Sequence, residues 1–228
     1  MINQSLPVLI LGLILGIKHA FDADHILAVS TLATKHNNPF KAALIGAFWG
    51  LGHTITLLLT GFLILFFKIA IPPKISLTME LLVGGMLIVL GMATILNKKI
   101  TYHNHKHKHD DKNHAHIHDE DNKLHDHIHK KSFLVGVIHG LAGSGGLMLL
   151  VLSTINSVTV GLYYILIFGI GSTGAMTSIS LLLSLPYLLA FQKFPNLFQY
   201  INKIAGMLSV IFGLVLIYEI IMLGKLIF

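Results

Sequence analysis

Long apolar runs dominate this chain of 228 residues, and each extends over about twenty residues or more, the length of helix that spans a bilayer. Hydrocarbon offers no hydrogen bonds to a backbone, so a segment that crosses it must be helical or part of a closed barrel. Only 11% of the residues are charged, against roughly a quarter in a soluble domain. The sequence therefore predicts an all-α polytopic protein, embedded in the lipid bilayer of the cell membrane.

Turn-forming residues divide the apolar sequence into six predicted transmembrane helices. The predicted spans are 6–34, 40–68, 76–97, 132–154, 158–190 and 197–224. The fifth is longer than one straight span requires. Its glycines at 169, 171 and 174 are expected to let it unwind or bend, and Pro186 is expected to end or kink it.

Four ionisable residues stand inside the first apolar run: His19, Asp22, Asp24 and His25. Such groups are costly at membrane depth and normally mark an ion or substrate path. On a straight helix His19, Asp22 and His25 share an arc of roughly 120°, and Asp24 lies on another face unless the helix is broken. Imidazole and carboxylate suit divalent Ni, Co, Cu or Zn. The alternative is structural, since Lys18 and Asp22 have the i,i+4 spacing of a helical ion pair.

Two motifs resemble those of the nickel/cobalt transporter (NiCoT) family. Residues 19–25, HAFDADH, have its His-x4-Asp-His pattern, and residues 48–54, FWGLGHT, are similar to its next motif. The resemblance implies that His53 joins the first four residues in one site, with Ni²⁺ or Co²⁺ as transported substrate and no cofactor. The family's later acidic motif has no counterpart in residues 169–177, so the second half looks more like the permeases found beside urease and hydrogenase genes. That likeness suggests a cytoplasmic metallochaperone for urease or hydrogenase as partner.

The two halves of the chain repeat each other at a separation of about 120 residues. Residues 16–20, GIKHA, align with residues 136–140, GVIHG, and the alignment continues through two later glycine-containing segments. Each half has three predicted spans, an odd number, which predicts two inverted three-helix repeats with a site between them. The predicted domains are 1–97, 98–131 and 132–228. Alternatively, small residues recur only because they allow close helix packing.

His139 is the counterpart of His19 in this alignment. It is either a ligand or gate that faces the site, or a polar residue used in helix packing.

The segment 98–131 is polar, is expected to be disordered, and holds ten of the fifteen histidines. A tract of this composition predicts accessory metal capture, although it also fits a plain solvated linker. The histidines concerned are His103, His105, His107, His109, His114, His116, His118, His125, His127 and His129.

The formal charge of +6 comes from lysines, because the chain has no Arg. Most lysines fall on the side of the His-rich segment, which predicts that this segment is cytoplasmic and that both termini are outside. The charge is thereby explained without nucleic acid.

The predicted function is a secondary transporter for uptake of Ni²⁺, Co²⁺ or both, and not an enzyme. No Gly-x4-Gly-Lys-Ser/Thr motif for ATP occurs in the sequence. Two alternatives remain open: a nickel/cobalt efflux permease, and an intramembrane metal-dependent hydrolase that uses the same His and Asp residues.

Overall fold

The computed structural model describes residues 2–33, 38–68, 72–96, 125–141, 151–152, 154–155, 157–193 and 195–222. Within these residues the chain is helical and has no β-strand, which confirms the predicted all-α class. The helices are α1 (Ile2–His19), α2 (Ala23–Ala33), α3 (Pro39–Phe67), α4 (Pro73–Leu96), α5 (His125–Leu141), α6 (Val158–Lys193) and α7 (Pro195–Met222).

Four of the described helices, α3, α4, α6 and α7, are long and apolar enough to cross a membrane, and the bent pair α1–α2 would be a fifth. A protein that spans the membrane several times is therefore confirmed. The predicted fourth span, 132–154, includes residues 142–150, which lie outside the described residues, so the count of six stays a prediction.

The first predicted span is broken. Helix α1 ends at His19, α2 begins at Ala23, and the two are bent by 56°. The connection is a tight turn in which the backbone N–H of Asp22 donates to the carbonyl of His19 at 3.0 Å. The stretch is therefore not one straight helix, and the break, which the sequence left open, redirects Asp24 and His25 relative to His19.

Two further boundaries differ from the sequence-based expectation. Helix α5 begins at His125, so the end of the predicted His-rich loop is helical. Helix α6 continues past Pro186 to Lys193, and it is not interrupted at its three central glycines. Two of those glycines, Gly169 and Gly171, instead give neighbouring helices a close approach: their missing Cβ atoms would lie against Thr54 and Leu13.

Helix α3 packs against α5 and α6, α1 packs against α6, and α4 packs against α7. Several of these contacts require glycine. A Cβ at Gly16 would lie 2.1 Å from the carbonyl oxygen of Phe168, and one at Gly136 would lie 2.1 Å from that of Trp49. Small residues of this kind allow helix backbones to touch in a membrane, where packing replaces the hydrophobic effect as the driving force.

The glycine contacts are reciprocal between the two halves of the chain. Where a residue of the first half contacts a residue of the second half, the residues at the two equivalent positions are also in contact. Equivalent positions are about 120 residues apart. The reciprocal pairs are Gly16–Phe168 with Gly136–Trp49, Gly52–Phe133 with Gly171–Leu13, and Gly50–Thr173 with Gly169–Thr54.

The order of these contacts gives the helix directions. Along α1 and α6 the residue numbers of the contacting pairs increase in the same direction: Gly12 contacts Tyr164, and Gly16 contacts Phe168. These two helices therefore run parallel. Helices α3 and α5 are parallel for the same reason. In α4 and α7 the positions run oppositely, because Gly84 meets Gly213 while Gly91 meets Gly206. Helices α3 and α6 are likewise antiparallel.

Candidate metal centre

Four buried histidines from four helices meet beside the break in the first span. His19 is the last residue of α1, His25 lies in the first turn of α2, His53 in the middle of α3, and His139 near the end of α5. All four side chains are buried, three of them with no exposed surface. Neighbouring ring centroids lie close together, at 4.4 Å for His19–His25 and 4.1 Å for His25–His139.

His19, His25 and His53 form what we call the three-histidine group. One ligand atom from each lies within 4.8 Å of the other two. In the described part of the chain, Nε2 of His19, Nε2 of His25 and both ring nitrogens of His53 have no hydrogen-bond partner. A buried polar atom without a hydrogen-bond partner is costly, so these nitrogens either destabilise the fold or bind a ligand.

The two carboxylates fix the protons of two of these rings. Oδ2 of Asp22 lies 2.8 Å from Nδ1 of His19, and Oδ1 of Asp24 lies 3.0 Å from Nδ1 of His25. An ionised carboxylate can only accept, so in each ring Nδ1–H donates and Nε2 keeps its lone pair. Carboxylates commonly orient metal-binding imidazoles in this way. The structure thus places both Asp residues behind the rings, as partners of Nδ1.

Asp24 also reaches across to α5. Its second oxygen, Oδ2, lies 2.9 Å from Nε2 of His139, which makes Asp24 a bridge between His25 and His139. Asp24, His25 and His139 are a second set of side chains with ligand atoms within 4.8 Å of one another, here called the Asp24 group. His25 belongs to both groups.

The two carboxylates differ in their access to the surroundings. The side chain of Asp22 is 46% exposed, whereas that of Asp24 is 17% exposed. No ion pair joins Asp22 to Lys18 in the described residues; its partner is His19. The ion-pair alternative for Asp22 is therefore not what this structure contains.

Two buried aromatic rings contact the histidines of the site. Trp49 has no exposed surface and stacks on His25, with ring centroids 5.5 Å apart, while Phe168 lies 5.4 Å from His19. Sequence analysis did not assign Trp49 to the site. The signal was its position four residues before His53, which places both side chains on one face of α3.

The His-rich segment is described only from His125. His129 contacts the ring of Phe48, with centroids 4.6 Å apart, and His125 and His127 lie on the same helix. The other seven predicted capture residues, His103, His105, His107, His109, His114, His116 and His118, lie outside the described residues.

The described residues define a class: a multi-pass helical membrane protein with a buried cluster of imidazoles and carboxylates at a broken helix. Residues 70–215 match the family described as "Cytochrome C biogenesis protein transmembrane region". The chain is 38% identical over 216 residues to "Urease accessory protein UreH" of Bacillus sp. (strain TB-90), which covers 94% of this chain and 92% of that protein. No solved structure matches significantly. The chain therefore belongs to the membrane protein family of UreH and of this transmembrane region.

Proposed function

We propose that this protein is a secondary permease that takes up Ni²⁺, Co²⁺ or both across the cell membrane. The observation that carries the proposal is the three-histidine group, in which one ligand atom from each buried imidazole lies within 4.8 Å of the other two. Each of these rings also has a buried nitrogen without a hydrogen-bond partner in the described residues. Neutral imidazole suits late first-row metals. The sequence resemblance to nickel/cobalt transporters and the similarity to a protein named for urease accessory function favour nickel.

The metal in this proposal is a substrate, bound first by His19, His25 and His53. Asp22 and Asp24 stand close enough to neutralise a dication, which reduces the cost of holding it in a low dielectric. His139 bonds to Asp24 and is not a member of the three-histidine group. Direct ligation by either carboxylate stays a prediction.

The membrane potential is a sufficient source of energy for uptake. Moving one charge across 100 mV is worth about 2.3 kcal/mol, so a dication gains about 4.6 kcal/mol when it enters a negative cytoplasm. That free energy corresponds to more than three decades of accumulation, at about 1.36 kcal/mol per decade. Neither ATP nor a coupling ion is needed for net uptake.

The proposed architecture is two inverted three-helix repeats, 1–97 and 132–228, with the metal between them. It is supported by the reciprocal glycine contacts and by the antiparallel pairs α3–α6 and α4–α7, which are equivalent helices of the two halves. It also makes His19 and His139 equivalent positions on either side of the site. Transporters with this construction bind their substrate near the bilayer midplane.

The proposal is tested by replacing the metal-facing histidines. His19→Ala and His25→Ala should each abolish ⁶³Ni²⁺ uptake by cells, because each removes an imidazole of the three-histidine group. Ser209→Ala is the matched control: Ser209 is a buried polar residue of α7 that donates to the carbonyl of Leu87 on α4, and it belongs to neither group of candidate ligands. Unchanged uptake in both histidine variants would refute the assignment.

Efflux and hydrolysis are the competing functions. Deleting the gene should lower cellular nickel for an importer and raise it for an exporter.

A catalytic zinc site has three protein ligands and a water, a count that the three-histidine group satisfies. Purified protein that retains zinc and hydrolyses lipid or peptide would favour the enzyme. Asp24 already bonds to imidazoles through both of its oxygens and Asp22 through one, which disfavours either as general base.

The proposed partner is a cytoplasmic metallochaperone for urease or hydrogenase, which would receive the metal after the His-rich segment. In this orientation, segment 98–131 and its histidines face the cytoplasm, and both termini lie outside.

A further inference from the structure

We propose that the metal occupies two alternative positions, one on each side of the His25 ring, and passes between them during transport. This inference deepens the proposed function and rests on it. The first position is the three-histidine group, His19, His25 and His53; the second is the Asp24 group, Asp24, His25 and His139.

The two nitrogens of His25 serve different groups. Nδ1 lies 3.0 Å from Asp24, the residue that continues to His139 at 2.9 Å. Nε2 is buried and has no partner in the described residues, so it is the nitrogen left for His19 and His53. The same ring therefore offers one edge to each position.

Occupancy of the two positions is mutually exclusive. A neutral imidazole carries one proton and one lone pair. When Nδ1–H donates to Asp24, the lone pair on Nε2 serves the three-histidine group. When the proton sits on Nε2, the lone pair on Nδ1 serves the Asp24 group. One ion is thus held at a time. Its movement exchanges His19 and His53 for Asp24 and His139, and His25 passes the ion from Nε2 to Nδ1 as the proton of that ring moves from Nδ1 to Nε2.

The second position is prepared in the structure. His139 is fully buried, and its Nδ1 has no partner in the described residues, so it can take the proton that Nε2 gives up when the metal binds there. The carboxylate of Asp24 supplies a negative charge at this position, whereas the three-histidine group has only neutral donors. The two sets therefore differ in ligand chemistry as well as in place.

The experiment measures equilibrium binding and transport separately, on full-length purified protein with ⁶³Ni²⁺ as the probe. Binding is recorded as the difference from His25→Ala, which keeps the His-rich segment and lacks both positions. Uptake is measured in vesicles of reconstituted protein under an inside-negative potential, with Ser209→Ala as the folding control.

Wild type should bind one Ni²⁺ per chain above this background. His53→Gln should weaken equilibrium binding by more than about 100-fold, because it removes a ligand, and loss of an outer-shell partner alone already costs about 10–100-fold. His139→Gln should leave binding within about threefold and lower the uptake rate at least tenfold, because the first position remains and the second is lost. Asp24→Asn should lower the uptake rate as His139→Gln does, because its amide carries no charge for the second position. Its amide oxygen can still accept from Nδ1–H of His25, but loss of the negative charge should also weaken equilibrium binding.

Three outcomes would overturn the two-position inference: His139→Gln weakening binding as much as His53→Gln, His139→Gln with wild-type uptake, or two ions bound per chain. Each can occur in a protein that still takes up nickel, so the proposed function would stand. Absence of binding and uptake in wild type would instead refute the proposed function itself, and with it this inference.

Discussion

At His19 the position of one proton decides which ring nitrogen can bind a metal. Asp22 holds that proton on Nδ1 across 2.8 Å, which leaves the lone pair of the buried Nε2 directed away from the carboxylate. The side chain of Asp22 is nearly half exposed, so Asp22 bonds to His19 from the edge of the site. Its role is then to position His19, a role distinct from that of a ligand.

Replacement of Asp22 separates these two roles. Asp22→Ala should lower nickel affinity by about tenfold, the usual cost of losing an orienting carboxylate, whereas His19→Ala should remove site-specific binding. Lys18→Ala is the control, because Lys18 neighbours the site but forms no ion pair with Asp22 in the described residues. Equilibrium binding of ⁶³Ni²⁺ to purified protein measures all three. An Asp22→Ala loss as large as that of His19→Ala would make Asp22 a direct ligand.

Among the helices, the contact between α3 and α5 determines how far His139 stands from the other imidazoles. Gly136 lies one turn before His139 and touches the carbonyl of Trp49, one turn before His53. The two helices can approach this closely only because Gly136 has no side chain. Their separation and the geometry of the site are therefore coupled.

A methyl group at Gly136 should separate these helices. Its Cβ would lie 2.1 Å from the Trp49 oxygen, so Gly136→Ala should cost about 1–3 kcal/mol through overpacking and should lower nickel uptake. Gly174→Ala is the matched control, since a Cβ there meets nothing within 4 Å. Thermal stability in detergent and uptake in vesicles provide the measurements. Equal behaviour of the two variants would show that close packing at Gly136 is unimportant.

The sequence predicted which residues are unusual but not how the helix that carries them is shaped. His19 and His25 were found because ionisable groups are rare in apolar runs. The turn between α1 and α2 was not found, because residues 20–22, AFD, contain neither Gly nor Pro, the usual signals of a break. The internal repeat predicted that His139 could face the site, but the hydrogen bond between Asp24 and His139, which are 115 positions apart, depends on that turn and on the tertiary fold.

At the scale of the whole molecule, the reciprocal contacts imply that equivalent helices of the two halves point in opposite directions. Helix α3 begins at Pro39 and its equivalent, α6, begins at Val158, a separation of 119 residues. The contact order of this pair is antiparallel, as Gly50 meets Thr173 while Gly61 meets Ile165. Their first residues should therefore lie on opposite faces of the membrane. This requirement holds whichever face is cytoplasmic.

Single-cysteine labelling tests this topology directly, because the chain has no Cys of its own. Phe40 and Ser157 are both exposed, at the starts of α3 and α6. In intact cells a membrane-impermeant maleimide should label Ser157→Cys and spare Phe40→Cys, which should react only after permeabilisation, because the lysine distribution puts the start of α3 inside. The opposite pattern would reverse the orientation and leave the inverted repeat intact. Labelling of both residues from the same side would rule out the repeat, and with it a site between two inverted halves.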